Sequence, residues 1–132
     1  MMTKQDQGFT IIELLVIIIL IGAASVLFFV QKNNITIAAR DQQRKTAINA
    51  MYYSLEEVYY PAHSYYPSTL DGAILPSVDP ALFTDPNGIK LGGQTSNYRY
   101  EPTNCINDQC KSYILRSTLD NEADFIKDSK NH

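Results

Sequence analysis

Several residue types that often carry chemistry are scarce in this 132-residue chain, which has no tryptophan, two histidines and two cysteines. No serine–histidine–acid, cysteine–histidine or metal-ligand set stands at a recognisable spacing, and this argues against an enzyme. Basic residues are not in excess either, because the net charge is −3 and the pI is about 5.2. A nucleic-acid partner is therefore not indicated. The length suits one small domain in addition to a membrane helix.

Polar side chains are nearly absent between Phe9 and Val30, where only Thr10, Glu13 and Ser25 carry them. At 1.5 Å per residue, this run forms a helix of roughly 33 Å, enough to cross a hydrocarbon core of about 30 Å. The run therefore predicts a membrane-spanning helix. Glu13 is misplaced in it, since an ionised carboxylate there costs several kcal/mol unless it is neutralised or paired. An acid in that position points to a functional role.

Residues 8 to 14, Gly-Phe-Thr-Ile-Ile-Glu-Leu, resemble the processing and assembly signature of type IV pilins and of the pseudopilins of type II secretion. The resemblance implies that prepilin peptidase removes residues 1–8 by cutting between Gly8 and Phe9, and that the new Phe9 amine is N-methylated. It also implies that Glu13 compensates the Phe9 amine of a neighbouring subunit during assembly. Electrostatics agrees with this role, because a buried cation and a buried anion are each costly alone and tolerable when paired.

Two features favour other interpretations of this segment. Residues 14–21, followed by the small residues 22–25, are similar to the core and cleavage site of an ordinary signal peptide. Glu13 and the renewed apolar run at 26–30 disfavour that interpretation.

The positive-inside rule would place the main domain in the cytoplasm, because four basic residues follow the apolar run: Lys32, Arg40, Arg44 and Lys45. The leader motif and the cysteine pair indicate the opposite, and we predict an exported domain.

The helical pattern is predicted to continue as one helix from about residue 10 to residue 60. Its first part, 9–30, lies in lipid, and its second part, 31–60, packs on a head domain. Pro61 is expected to end it, and the alternative is two helices with a break at residues 31–34. Apolar residues recur at the helical repeat, while charged residues fall on other faces of the helix. The apolar residues are Ile37, Ile48, Met51 or Tyr52, Leu55 and Tyr59. The charged residues include Arg40, Arg44 and Glu56.

Gly22 and the small residues that follow it lie near the middle of the apolar run, where small side chains let helices approach closely. Gly22 matches a glycine of many pilins, and Val30 stands where many of them carry proline. The resemblance thus implies that any local melting of the helix in a filament occurs at residues 22–25.

Residues 61–97 are rich in turn signals and are predicted to connect the helix to a sheet, with a weak strand at 88–91. Tyr-Pro at 66–67 and Asp-Pro-Asn-Gly at 85–88 resemble landmarks of short pseudopilin-like heads. Residues 98–119 are predicted to form a β-hairpin, with strands near 97–101 and 112–116.

Cys105 and Cys110 favour a disulfide across this hairpin, because a close cysteine pair in an exported domain is typically oxidised. A metal site would need two further ligands, and only His63 and His132 are available. If the cysteines face each other, the strand register follows, and period-2 alternation predicts the buried face. That face pairs Tyr100 with Leu115, Pro102 with Tyr113 and Tyr98 with Ser117, while Arg99, Glu101, Ile114 and Arg116 lie on the other.

The acidic C-terminal residues 120–132 allow two interpretations. Several major pseudopilins hold calcium through carboxylates near the C-terminus, and Asp120, Glu122 and Asp124 would be the ligands here. No EF-hand spacing is present, and basic residues interrupt the run. We therefore predict a solvated, partly disordered tail and no cofactor.

These predictions describe an α+β protein in which a long N-terminal helical spine, transmembrane in its first half, packs against a small antiparallel hairpin head, as in type IV pilins. The resemblance implies a structural subunit, held in the cytoplasmic membrane with its head exported, that polymerises with copies of itself into an extracellular pilus on the cell surface. Its partners would be prepilin peptidase, the pilus assembly platform and membrane lipid. The alternatives are a pseudopilin of a type II secretion system and a membrane-anchored exported binding module.

Overall fold

The computed structural model describes residues 8–131, and the predicted leader therefore lies outside the described residues except for Gly8. The described chain divides into two compact units, one up to Thr36 and one from Ile37 onward, which we call the head. The layout is α+β, as predicted. The elements in chain order are α1 (Ile11–Ser54), a π-helical turn (Leu55–Tyr59), α2 (Tyr60–His63), β1 (Tyr66–Pro67), a 3₁₀ turn (Pro80–Phe83), β2 (Tyr98–Ile106), β3 (Gln109–Ser117) and β4 (Phe125–Asp128).

The helical stretch is longer than predicted and contains one irregular turn. α1 is helical through residues 31–34, so the alternative of a break there is wrong. Pro61 does not end the helix, because α2 continues to His63 and is closed by Ser64 in the left-handed conformation. The π-helical turn explains this: it ends with the Tyr60 N–H donating to the Leu55 carbonyl, and Pro61 then begins a new turn, where its missing N–H costs little.

The π-helical turn also changes which side chains face the core. A regular helix would carry the buried stripe from Met51 and Leu55 on to Val58, three residues further along. The extra residue in the turn instead places Glu56 inside, 6% exposed, and leaves Val58 53% exposed. The predictions for Ile48, Met51 and Leu55 are confirmed, whereas the prediction that Glu56 lies on a face other than the buried one is wrong.

β3 is the central strand of an antiparallel sheet. β2 pairs with it along one edge, while β1 and β4 share the other edge, with β1 at the start of β3 and β4 at its end. The predicted hairpin and its register are confirmed: Tyr98 faces Ser117, Tyr100 faces Leu115, Pro102 faces Tyr113 and Cys105 faces Cys110. On the outer face, Arg116 pairs with Glu101 at 3.2 Å, which relieves the repulsion between Arg116 and Arg99 directly opposite.

The hairpin turn consists of Asn107 and Asp108 alone, which have φ values of 51° and 64°. Two consecutive residues in the left-handed region match the twist of the flanking strands, and asparagine and aspartate tolerate that region best after glycine. The strands therefore extend further toward the turn than predicted, and the cysteines lie within the ladder.

The core of the head forms where α1 residues pack on one face of the sheet under the connecting segment. Alternation along the second half of β3 decides that face, since the buried residues there are every second one: Tyr113, Leu115 and Ser117. The other buried apolar residues are Ala47, Ile48, Met51 and Leu55 from the helix, Tyr66, Leu70, Leu75, Val78 and Phe83 from the connection, and Tyr98 and Cys110 from the hairpin.

Asp85 organises the second half of the connection. Its buried carboxylate accepts hydrogen bonds from the backbone N–H groups of Asn87, Ile89 and Asn97 at 2.8–3.1 Å, and Gly88 takes the positive φ of 85° that the turn requires. The predicted strand at 88–91 is reduced to a single bridge between Thr84 and Lys90. Burial, together with the Asp85 charge, raises the pKa of Tyr98 to about 12.

The C-terminal segment is not the solvated tail that was predicted. Phe125–Asp128 forms β4 on the free edge of β3, and the Ser129 N–H donates to the Tyr113 carbonyl at 3.1 Å. The ladder supplies partners for the backbone polar groups, so a segment with few apolar residues is still ordered.

Reduction of the Cys105–Cys110 disulfide is expected to destabilise the head by about 2 kcal/mol, because the closed loop is only six residues long. The measurement is urea unfolding of the full chain in detergent, followed by tyrosine near-UV circular dichroism with and without reductant. A Cys105→Ser/Cys110→Ala variant is the control and should not respond to reductant. Equal midpoints for the oxidised and reduced wild type would contradict the expectation.

Candidate functional site

The start of α1 brings together the residues of the predicted assembly site. Thr10 precedes the helix, and its Oγ1 accepts a hydrogen bond from the Glu13 N–H at 3.2 Å, while its carbonyl accepts one from the Leu14 N–H at 3.0 Å. Thr10 is therefore the N-cap, and Glu13 stands three positions further on, as in a capping box. The sequence contained this signal, but the prediction used only the charge of Glu13.

Glu13 is the acidic residue in the first turn of α1. A carboxylate there is stabilised by the free N–H groups and the positive end of the helix dipole. The helix dipole amounts to a partial positive charge, so it offsets only part of the free-energy cost of an ionised carboxylate in a low-dielectric environment. A full positive charge nearby would therefore stabilise the Glu13 carboxylate further. Phe9, one residue before the cap, is 75% exposed, and Gly8 is exposed beside it.

Every side chain from residue 8 to residue 36 is exposed. The helical stretch Ile11–His63 contains an 18-residue window with a mean hydropathy of 2.9, long and apolar enough to cross a membrane. Sixteen large apolar side chains between Phe9 and Val30 are exposed, and leaving them in water is unfavourable because burying apolar area gains about 25 cal/mol per Å². This surface is compatible with a membrane anchor.

Gly22 lies in unbroken helix, and a side chain added there would meet nothing within 4 Å. Ser25, nearby, donates its hydroxyl to the Ile21 carbonyl at 2.8 Å, so its polar group is satisfied within its own helix. Gly22 is therefore required neither by a strained conformation nor by a close contact in the isolated chain. A role in helix packing between chains stays a prediction.

In the head, a buried ion network joins α1 to the segment before β4. Arg44, 1% exposed, donates through Nη1 to Asp41 at 2.7 Å and to Asp120 at 2.9 Å. Asp41, itself buried, also accepts from the backbone N–H groups of Asp120 and Asn121. Burial alone would raise the pKa of Asp41, but these amides and Arg44 lower it below its ordinary value. The prediction that Arg44 lies on an outer face is therefore wrong.

A second buried network centres on Glu56. Its carboxylate accepts hydrogen bonds from the hydroxyl groups of Tyr66 at 3.0 Å and Tyr113 at 2.8 Å, and from the Lys130 backbone N–H at 3.1 Å. The Asn131 amide in turn donates to the Tyr66 hydroxyl. One carboxylate on the π-helical turn thus ties β1, β3 and the C-terminal residues together. Burial, followed by the hydrogen bond to Glu56, raises the pKa of Tyr113.

Two of the three predicted calcium ligands have other partners. Asp120 is bound by Arg44, and Glu122 accepts from Lys45 Nζ at 2.6 Å. Within residues 8–131, no group of three or more histidine, cysteine, aspartate or glutamate side chains is arranged to hold a metal ion. Two of the three carboxylates thus already pair with a basic side chain of this chain, and the absence of a bound calcium ion stays a prediction.

No family model, curated protein or solved structure matches this chain. The site must therefore be argued from its own residues. Of the predicted processing and assembly residues, Gly8 and Phe9 precede the Thr10 cap and Glu13 lies in the first turn of α1, and Cys105 and Cys110 are joined by a disulfide. The sequence analysis did not predict the two buried networks. The one signal for them in the sequence is the i, i+3 spacing of Asp41 and Arg44, which is typical of an ion pair on a helix.

We expect Tyr113→Phe to destabilise the head by about 1–3 kcal/mol, because it removes one of the hydrogen bonds that the buried Glu56 side chain accepts and leaves the ring unchanged. The matched control is Tyr53→Phe, because Tyr53 is 57% exposed. Removing its hydroxyl group should change the unfolding free energy by less than about 0.5 kcal/mol. Thermal unfolding in detergent measures both variants. Similar effects for the two would show that the Glu56 network does not hold the head together.

Proposed function

We propose that this chain is a pilin-like structural subunit of a type IV pilus-like filament, processed by prepilin peptidase and polymerised through its N-terminal helix. The observation that carries the proposal is the start of α1: a Gly8–Phe9 junction, a capped helix with Glu13 in its first turn, and an exposed apolar surface behind it. The chemistry of each part supplies one step of the proposal.

Cleavage after Gly8 would create a positively charged amine on Phe9, one residue before the helix cap. In lipid this amine and the Glu13 carboxylate are both costly, and each lowers the cost of the other when they meet. The amine of one copy meeting Glu13 of the next would therefore fix the register between helices, while the exposed apolar side chains of residues 11–30 supply the contact area. Before assembly the same apolar surface would be covered by membrane lipid.

An exported head agrees with the disulfide, because such bonds persist in oxidising compartments. The test uses an impermeant thiol reagent on intact, gently reduced cells. Cys105 is exposed whereas Cys110 is fully buried, so labelling is expected at Cys105 and should be absent from Cys105→Ser. Labelling of Cys105 only after lysis would place the head in the cytoplasm and contradict the proposal.

Mass spectrometry of the mature N-terminus is the decisive experiment. The expected product begins with a methylated Phe9 and lacks residues 1–8. An intact Met1, or a chain that begins after Ala24, would contradict the proposal, since the first indicates an uncleaved anchor and the second an ordinary signal peptide.

A pseudopilin of a type II secretion system would share this processing and the Glu13 contact. The disulfide favours a surface pilin, because a closed hairpin suits a filament exposed to the medium. Immunogold labelling of long filaments outside intact cells is expected for a pilin. Protein that stays in the cell envelope, with loss of secretion in a deletion strain, would favour the pseudopilin.

A further inference from the structure

A groove of about 450 Å³ opens on the head between the end of α2, the tip of the β2–β3 hairpin and the last described residues. Its volume falls in the range of about 300–1,000 Å³ that small-ligand sites occupy. Among residues 8–131, those that line it include no acidic one. The residues that matter for its chemistry are Tyr60, Tyr65, Asn104, Asn107, Gln109 and Lys111.

Four polar side chains on the hairpin wall of the groove are uncommitted. Among residues 8–131, none of the side chains of Asn104, Asn107, Gln109 and Lys111 has a hydrogen-bond partner, and all four residues are exposed. Their neighbour Asp108 is engaged, since it accepts from the Ser68 hydroxyl at 2.9 Å. The groove thus presents three amides and one ammonium group that are free to bind a ligand.

The opposite wall carries two half-buried tyrosine rings that neighbours hold in place. The Tyr60 ring lies 4.8 Å from that of Tyr66, and the Tyr65 ring packs edge-on against Tyr59 at 6.0 Å. Fixed aromatic rings bind at low entropic cost because few rotamers are lost.

The backbone of the hairpin wall is also fixed in advance. Asn104 and Asn107 take positive φ values of 54° and 51°, which non-glycine residues adopt at a cost, and the Cys105–Cys110 disulfide lies between them. Both residues are asparagines, which tolerate this region best after glycine, and the strand pairing and the disulfide hold the backbone in place. The amides therefore project from a rigid tip.

We propose that this groove binds a glycan. An amide side chain both donates and accepts, which matches the paired donor and acceptor character of sugar hydroxyl groups, and a tyrosine ring offers an apolar face for the C–H groups of a sugar ring. Among residues 8–131, no acidic residue of the lining neutralises the Lys111 ammonium group. The groove should therefore bind a sugar that carries a carboxylate more tightly than a neutral sugar. The inference stands on the head alone and is independent of filament assembly.

The test is a titration of the full-length, ¹⁵N-labelled chain in detergent micelles with two probes, 3′-sialyllactose and lactose. We expect the side-chain amide signals of Asn104, Asn107 and Gln109 to shift with both sugars, and the sialylated probe to bind about two- to fivefold more tightly, as a solvent-exposed ion pair to Lys111 allows. The Gln109→Ala/Lys111→Ala variant should bind 3′-sialyllactose about tenfold more weakly.

The matched control is Lys90→Ala/Gln94→Ala, which removes the same two chemical groups from exposed positions outside the groove and should bind as the wild type does. Both replaced groove residues are exposed and have ordinary backbone angles, and unchanged amide signals in the core will verify that the variant is folded. The inference is overturned if neither sugar shifts the groove signals, if the groove variant binds as tightly as the control, or if the signals move with protein concentration alone, which would indicate a second copy in the groove.

Discussion

Cells that express Glu13→Ala are expected to contain folded, membrane-inserted protein and no filaments. The substitution removes the carboxylate that would meet the Phe9 amine of a neighbouring subunit, and it leaves the apolar surface of residues 11–30 unchanged. Head folding should also be unchanged, because the core and both buried networks lie beyond Ile37. The measurement compares the sheared extracellular fraction with the membrane fraction by immunoblotting.

Two further variants separate charge from other effects of this substitution. Glu13→Gln keeps the size and hydrogen-bonding capacity but not the charge, so it should fail to assemble as Glu13→Ala does. Ser25→Ala removes another polar group from the apolar run, one that is satisfied within its own helix, and it should assemble normally. Normal filaments from Glu13→Ala would remove the proposed role of the residue.

The hairpin could be predicted in register because two constraints act together. Side chains alternate strictly along a strand, so a slip of one residue would turn Tyr98, Tyr100 and Tyr113 away from the core. The cysteine pair then fixes which residues face each other. Local chemistry and the global fold agree here, and such agreement makes a segment predictable.

The π-helical turn could not be predicted from the residue pattern. Its cost is local, whereas its gain is the buried network of Glu56 with Tyr66, Tyr113 and the C-terminal backbone, and those partners are 10 to 74 residues away in sequence. A periodicity argument assumes a constant 3.6 residues per turn, and one inserted residue rotates everything after it by about 100°. The prediction therefore failed for Glu56 and for Pro61.

The position of β4 was missed for a related reason. Phe125 and Ile126 are its only apolar residues, too few for a periodic signal. The segment is ordered by distant partners, since Asp41 binds the backbone of residues 120–121 and the edge of β3 is available for pairing. The acidic residues that indicated a solvated tail thus include one, Asp120, that completes a buried ion network.

The placement of the candidate-site residues at the start of α1 was predictable because they are contiguous, whereas their roles in processing and assembly stay predictions. Gly8, Phe9 and Glu13 need no tertiary contact to be placed, and the helix cap by Thr10 is local as well. Their partner would be another copy of the chain, so the chemistry of this site follows from the sequence more than from the fold.

Arg44→Met is expected to be the most damaging single substitution in the head, at about 3–5 kcal/mol, because it leaves Asp41 buried without its cation. Methionine fills much of the same volume, so the loss reports charge more than packing. For a domain of this size the Tm should fall by more than about 12 °C. Tyrosine near-UV circular dichroism in detergent measures the transition.

Arg40→Met is the matched control, since Arg40 is exposed and lies one turn earlier on α1. This substitution should change the unfolding free energy by less than about 0.5 kcal/mol.

The pH dependence of stability gives a second, independent test. In the wild type the pKa of Asp41 is lowered, so its stabilisation is present above the ordinary value of 3.8 and is lost as the pH falls through the lower, folded pKa. Without Arg44, the pKa of Asp41 should be higher than in the wild type, because burial raises it and only the two backbone N–H groups still lower it, so acid destabilisation should begin at a higher pH. Equal Tm values for the two arginine variants, with identical acid limbs, would show that the network contributes no net stability.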